Sequence, residues 1–167
     1  MTWGISRSTT SNRVYISYSY EWLNTPFNHY QDPIAISWDG DCFEPIDGTF
    51  YKVDHYYIVD IDGNIHERTE SESHNYATGS EEGVSWYADL VDIPTGVVTT
   101  MYGHGEIWLR PKKSNFTTIF FGHYVHNLSV VSLSLPIPAY GTSFSVSGGL
   151  AYDEIGTQRT YSYPFGD

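Results

Sequence analysis

The sequence is poor in cysteine and has no long apolar run. Its 167 residues include a single cysteine, Cys42, which excludes an internal disulfide bond and any zinc site built from several cysteines. No apolar run reaches the length of about 20 residues that a membrane-spanning helix needs, and the opening MTWGISRSTT lacks the apolar core of a signal peptide. We therefore expect a soluble chain without a signal peptide or transmembrane segment. Its localisation cannot be read from the sequence.

Residues that favour helices are also scarce. Five alanines and three lysines stand against fifteen tyrosines and fifteen glycines, which is a composition typical of half-buried strands. Apolar and polar residues alternate along several segments, and this period of two predicts strands. Strands are predicted at 13–20, 34–38, 50–61, 83–91, 97–102, 106–110, 116–126, 129–135, 143–147 and 159–163.

Turn signals separate the predicted strands. Asp-Gly pairs occur at 39, 47 and 62, and a Gly-His-Gly sequence occurs at 103. About ten short strands at this spacing are typical of a single antiparallel β-sandwich of the jelly-roll or Greek-key kind, so we expect one domain over residues 1–167. The segment around 67–82 is polar and acidic, and we expect it to form an exposed loop.

Negative charge is concentrated in one part of the chain. Residues 39–92 contain fourteen of the twenty acidic residues but only two basic residues, and this difference of twelve equals the net charge of −12. Such a segment repels phosphate backbones, so we expect no nucleic-acid partner, and it also opposes docking on anionic lipid. A solvated face that resists aggregation would explain the same charge without any ligand.

The segment 58–67, IVDIDGNIHE, carries the strongest turn signal. Asp62, Gly63 and Asn64 lie between apolar residues, and Gly63 or Asn64 can adopt the positive φ that a tight hairpin turn requires. The sequence therefore predicts a β-hairpin here.

A calcium site is the alternative interpretation of the same turn. Carboxylate and amide oxygens are ligands that calcium prefers, but glycine and glutamate do not have the spacing of an EF-hand loop. A site would form if this turn and the Asp-Gly turn at 39 met at one end of the fold. Its candidate ligands are Asp60, Asp62, Asn64, Asp39 and Asp41.

Patterns typical of catalysis are few. His123 and His126 are three residues apart, so on a strand they face opposite sides and cannot share one metal. His104 and Glu106 would share a face, and the flanking glycines would let a ligand approach, although an ordinary turn is the preferred interpretation of this Gly-His-Gly. Signatures of serine hydrolases and of phosphate-binding loops are missing. We therefore predict no catalytic residues, and an enzyme is less favoured than a binding protein.

Aromatic residues make up 17% of the chain, which is more than one core needs. Exposed rings stack on the C–H faces of sugars, and carboxylates accept hydrogen bonds from sugar hydroxyls. The sequence therefore predicts a non-enzymatic binding protein that recognises a glycan or a cell-surface glycoconjugate. The expected ligand-binding residues are Trp22, Phe27 and Tyr30 in an aromatic loop, together with His104 and Glu106.

Two other functions stay open. A membrane-directed or pore-forming toxin could use the segment 128–147 as an amphipathic hairpin on a membrane surface. A glycoside hydrolase or other hydrolase could use loop carboxylates, for which Asp60 and Asp62 are the nearest pair. No cofactor other than calcium is expected, and exposed edge strands would allow a homo-oligomer.

Overall fold

The structure is a computed structural model that describes residues 2–8, 11–22, 31–74, 78–80, 82–89, 96–127 and 152–164. These residues form eleven β-strands and no helix, so within them no helix is long and apolar enough to cross a membrane. The strands are β1 (Thr2–Ser8), β2 (Arg13–Trp22), β3 (Gln31–Ser37), β4 (Phe43–Pro45), β5 (Phe50–Asp60), β6 (Ile65–His74), β7 (Thr78–Ser80), β8 (Gly83–Asp89), β9 (Gly96–Pro111), β10 (Phe116–Asn127) and β11 (Tyr152–Tyr163).

The strands form two antiparallel sheets. Sheet 1 has the order β1-β2-β9-β5-β6, with β4 paired to one end of β9, and sheet 2 has the order β11-β10-β3-β8-β7. Hairpins join β1 to β2 and β5 to β6 in sheet 1, and β7 to β8 in sheet 2. The prediction of an all-β fold with antiparallel strands is confirmed.

The core lies between the two sheets. From Val14 to Tyr20 of β2 the even-numbered residues are buried and the odd-numbered residues are half-buried, because successive side chains of a strand point to opposite sides. Aromatic rings make the contacts between the sheets. Trp86 of β8 lies 5.5 Å from Phe50 of β5 and 6.4 Å from Tyr18 of β2, and Phe43 beside β9 lies 5.3 Å from Phe120 of β10.

The prediction of a turn at Gly-His-Gly was wrong, because β9 passes through these residues without interruption. Both glycines face the core. A Cβ atom at Gly105 would lie 2.4 Å from the Trp86 ring, and one at Gly103 would lie 2.5 Å from the backbone oxygen of Val53. Glycine is therefore needed here because bulky groups approach the backbone closely, not because the chain turns.

The prediction of an acidic loop over 67–82 was also wrong where the structure describes these residues. β6 pairs with β5 from Ile65 opposite Val59 to His74 opposite Phe50, and β7 follows at Thr78–Ser80. Residues 65–69 of β6 are exposed, as expected for a polar strand at the edge of a sheet. Charged residues on such an edge oppose pairing with other chains.

Candidate functional site

Aromatic, histidine and glutamate side chains gather on the side of sheet 1 that faces away from the core. β9 lies in the middle of this sheet, and its buried residues alternate with Tyr102, His104, Glu106 and Trp108. Because alternate residues of a strand share a side, these four side chains point away from the core. Each of them is half-buried, so part of its surface remains available to a ligand.

The neighbouring strands complete this surface. On β5, Tyr51 lies opposite Glu106 and His55 lies opposite Tyr102. On β2, Tyr15 lies opposite Trp108. We call this surface the outer face. Its members are Tyr15, Ser17, Ser19, Tyr51, His55, Tyr57, Tyr102, His104, Glu106 and Trp108.

Rings pack against each other at both ends of the outer face. At one end the ring centroids of Tyr15 and Trp108 are 5.3 Å apart with an interplanar angle of 58°. At the other end His55 stacks on Tyr102 at 4.7 Å and 9°, and Tyr57 lies 6.2 Å from Tyr102. Because these contacts hold the rings in place before any ligand binds, less side-chain entropy is lost on binding.

Glu106 is the polar centre of the outer face. Its carboxylate accepts a hydrogen bond from the hydroxyl of Tyr15, and its Oε2 lies 3.5 Å from Nε2 of His104. Burial, together with the Glu106 carboxylate, raises the pKa of Tyr15 to about 12, so this hydroxyl keeps its proton at neutral pH. Oε1 of Glu106 accepts no hydrogen bond from the described residues, so a ligand hydroxyl or ammonium can bind there.

The structure brings two of the five predicted ligand-binding residues together. His104 and Glu106 lie side by side on the outer face. Trp22 does not join them: it ends β2, is half-buried and packs against the core, 5.6 Å from Tyr124 of sheet 2. Trp22 therefore lies on the inner side of sheet 1 rather than in an exposed loop. Phe27 and Tyr30 lie outside the described residues, as does the segment 128–147.

A buried polar network surrounds Trp22. The Asp32 side chain is fully buried and its carboxylate accepts hydrogen bonds from the Tyr124 hydroxyl and from Nδ1 of His126, the latter at 3.0 Å. The ring of Trp22 packs edge-on against Tyr124 at 5.6 Å and against His126 at 4.7 Å. Burial and the Asp32 charge raise the pKa of Tyr124 far above its usual range. The network joins β3 to β10 beside the end of β2, and no local motif in the sequence predicts it.

The turn at 60–64 is a hairpin, as the sequence predicted. Gly63 has a φ of 81°, and β5 and β6 pair on either side of the turn. Oδ1 of Asp60 accepts hydrogen bonds from the backbone N–H of Asp62 at 2.9 Å and of Asn64 at 2.8 Å, while Oδ2 lies 2.8 Å from Nε2 of His66. The bond to His66, with those from Asn64, holds the pKa of Asp60 well below its usual range. Both carboxylate oxygens of Asp60 thus stabilise the turn.

The turn that begins at Asp39 is built in a similar way. Oδ1 of Asp39 accepts a hydrogen bond from the backbone N–H of Asp41 at 2.9 Å, and Oδ2 lies 3.2 Å from Sγ of Cys42. Burial, with Asp39 close by, raises the pKa of Cys42 to about 11, so the thiol keeps its proton and is a poor nucleophile.

The structure does not bring the two acidic turns together. Asp60 pairs with Gly96 at the start of β9, whereas Phe43, which follows the other turn, pairs with Pro111 at its end. At about 3.3 Å per residue these positions are roughly 50 Å apart along the strand, and calcium ligands lie at about 2.3–2.6 Å from the ion. The predicted shared site is therefore not formed. Among the residues that the structure describes, no three His, Cys, Asp or Glu side chains are grouped to hold a metal.

Comparison with known proteins gives no family. No protein-family model and no curated protein sequence matches this chain. The chemistry of the outer face is therefore the basis for inferring a function.

Proposed function

We propose that this protein is a non-enzymatic carbohydrate-binding protein that recognises a glycan or glycoconjugate through the outer face of sheet 1. The observation that carries the proposal is the position of Glu106, which has one carboxylate oxygen without a hydrogen-bond partner among the described residues. Half-buried rings lie on both sides of this carboxylate, Tyr51 across the pairing with β5 and Trp108 further along β9.

This combination of aromatic rings and a carboxylate is complementary to the surface of a sugar. A pyranose ring presents C–H groups that stack on aromatic rings, and hydroxyls that donate hydrogen bonds to carboxylates. Tyrosine and tryptophan supply large contact areas at low cost in side-chain entropy. On the outer face these rings belong to three adjacent strands of one sheet, which keeps their spacing fixed.

For the fold, we infer a β-sandwich of the jelly-roll or Greek-key kind. Two observations support this proposal: aromatic contacts join the facing sides of the sheets, and the chain passes repeatedly from one sheet to the other. Such folds leave the outward side of each sheet free to carry a binding surface.

A glycan array followed by calorimetric titration tests the proposed function. Tyr51→Ala and Glu106→Gln should each weaken binding about tenfold or more, since both remove groups that would touch the sugar. The matched control is Phe121→Ala, which removes a half-buried ring from sheet 2 and should leave the affinity unchanged. Absence of binding to any glycan, or wild-type affinity in both outer-face variants, would disprove the proposal.

One observation favours a second function, attachment to a membrane surface. Ile61, Ile65 and Val97 are exposed by 88%, 71% and 65%, and both Ile65 and Val97 pair with Val59 at the end of β5. Clustered exposed aliphatic side chains are typical of surfaces that contact lipid or protein. Because Asp62 is exposed at the same turn, neutral lipid is favoured over anionic lipid.

Co-sedimentation with phosphatidylcholine vesicles tests this second function. If the aliphatic cluster enters the interface, Ile61→Ser combined with Ile65→Ser should abolish sedimentation, while Glu106→Gln should not alter it. Leakage of an encapsulated dye would distinguish pore formation from surface attachment. A wild-type protein that stays in the supernatant would exclude membrane attachment.

A further inference from the structure

We propose that the ligand of the outer face is a linear glycan without acidic groups, several sugar units long, which lies parallel to β9. This inference rests on the proposed function and specifies its ligand. It follows from the spacing of the outward-facing residues of β9, from the position of the ring clusters, and from the distribution of charge.

The outward-facing side chains of β9 form a straight row. Tyr102, His104, Glu106 and Trp108 follow each other at alternate positions of one strand. Successive members of such a row are roughly 6.6 Å apart, so the row from Tyr102 to Trp108 is roughly 20 Å long. This length exceeds that of a single sugar ring and accommodates a short chain of them.

Ring clusters mark both ends of this row. Tyr15 and Trp108 form one cluster, and His55 and Tyr102 form the other, with Glu106 between them. A single sugar can reach one cluster only, whereas a longer chain contacts both clusters and Glu106 together. Each additional contact made by one ligand raises its affinity, so binding should strengthen with chain length until the row is covered.

Small residues leave room for the chain beside this row. On β2, Ser17 lies opposite Glu106 and Ser19 lies opposite His104. On β1, Gly4 pairs with Ser17 and is exposed, and a Cβ atom added to it would meet no atom within 4 Å. Between Tyr15 and Glu21 the small side chains of β2 therefore leave the surface open beside the row, which gives room for a glycan lying over β9.

Charge selects against acidic glycans. Glu21 of β2 and Glu67 of β6 belong to the same side of sheet 1 as Glu106, since they lie opposite Tyr102 and Tyr57. Of the basic residues on this side, Arg13 and Arg110 lie beyond Trp108, and Arg110 is paired with Glu44 at 2.5 Å. A uronic acid or sulfate over the middle of the row would face carboxylates, whereas hydroxyl or amino groups would donate to them.

Calorimetric titration with oligosaccharides of increasing length tests the inference. The probes are β-1,4-linked glucose, β-1,4-linked glucosamine and α-1,4-linked galacturonic acid, each from the single sugar to the hexamer. We expect the affinity of the glucose or the glucosamine series to rise by about tenfold or more up to the tetramer and then to level off. Galacturonic acid oligomers should bind about tenfold or more weakly than the non-acidic series that binds, compared at equal length.

Variants at the two ends of the row separate this inference from the proposed function. Trp108→Ala and Tyr102→Ala should each remove most of the gain from chain length while changing the affinity for the single sugar less. Phe121→Ala, on sheet 2, should keep the full gain. Three outcomes would refute the linear, non-acidic ligand but not carbohydrate recognition. They are an affinity that does not depend on chain length, a preference for the acidic series, and binding of a branched glycan on the array without binding of either non-acidic series. If no glycan binds at all, both proposals fail.

Discussion

Replacement of Trp22 by alanine is expected to destabilise the fold and to leave ligand binding unchanged. The indole lies on the inner side of sheet 1, where it contacts Tyr124 and His126 of sheet 2. Tyr124 in turn donates a hydrogen bond to the buried Asp32. The substitution therefore opens a cavity between the sheets, next to a buried hydrogen-bond network.

The size of the effect follows from these contacts. Loss of a fully buried tryptophan ring costs about 3–5 kcal/mol, and Trp22 is half-buried, so about 2–3 kcal/mol is expected from packing. For a chain of 167 residues, a loss of about 2–3 kcal/mol lowers Tm by roughly 4–12 °C.

Urea unfolding followed by far-ultraviolet circular dichroism measures this loss directly. Trp22→Phe keeps a ring in the contact and should lose only about 1 kcal/mol. Trp108→Ala is the matched comparison, because it removes a half-buried tryptophan from the outer face and should reduce glycan affinity more than stability. A Trp22→Ala protein that unfolds within about 0.5 kcal/mol of wild type would refute the placement of Trp22 in the core.

Three further outcomes are expected. Gly105→Ala should lower stability by about 1–3 kcal/mol in thermal unfolding, because its Cβ would enter the Trp86 ring, whereas Gly4→Ala should change it little. The hydrogen bonds from His66 and Asn64 depress the pKa of Asp60, so this carboxylate stabilises the fold above about pH 4 and loses that effect at lower pH. In urea titrations, Asp60→Asn should therefore flatten the fall of stability between about pH 4 and pH 2. An unchanged dependence of stability on pH would contradict this. Millimolar calcium should shift Tm no more than sodium chloride of equal ionic strength, and a larger shift would show a metal site.

Strands with strong alternation could be predicted from the sequence. β2, β5 and β10 coincide with predicted segments to within two residues at each end, because their buried and exposed residues alternate strictly enough to reveal the strand. The hairpin between β5 and β6 was equally clear, since Gly63 follows an aspartate between apolar residues. In both cases the signal is local.

Strands that depend on partners could not be predicted. β6 is polar from its second residue, His66, to its last, and it forms because β5 offers ten residues for pairing. Gly103 and Gly105 of β9 have a spacing that is typical of a turn, but they are needed because Val53 and Trp86 approach the backbone closely. The hairpin with β5 therefore decides the strand at β6, whereas Trp86 and Val53 are distant from the β9 glycines in sequence and meet them only after the chain has folded.

The candidate site was predictable only where its residues lie on one strand. His104 and Glu106 are two positions apart, so strand geometry alone places them on one side. Tyr15 and Tyr51 join them through strand register, and Tyr15 is separated from Glu106 by 91 positions in the chain. The register depends on tertiary packing. Trp22 was misplaced for a different reason: the predicted strand ended at residue 20, whereas β2 continues to Trp22 and its alternation places that ring on the buried side.

The acidic segment 39–92 shows why net charge is a poor guide to a binding site. Four of its carboxylates have structural partners: Asp54 lies 3.8 Å from Nζ of the buried Lys52, Glu44 pairs with Arg110, and Asp39 and Asp60 accept hydrogen bonds within their turns. Glu106 lies outside this segment, among aromatic rings, with an oxygen left for a ligand. The proposal of glycan recognition therefore depends on the surroundings of one carboxylate, which the summed charge of −12 does not reveal.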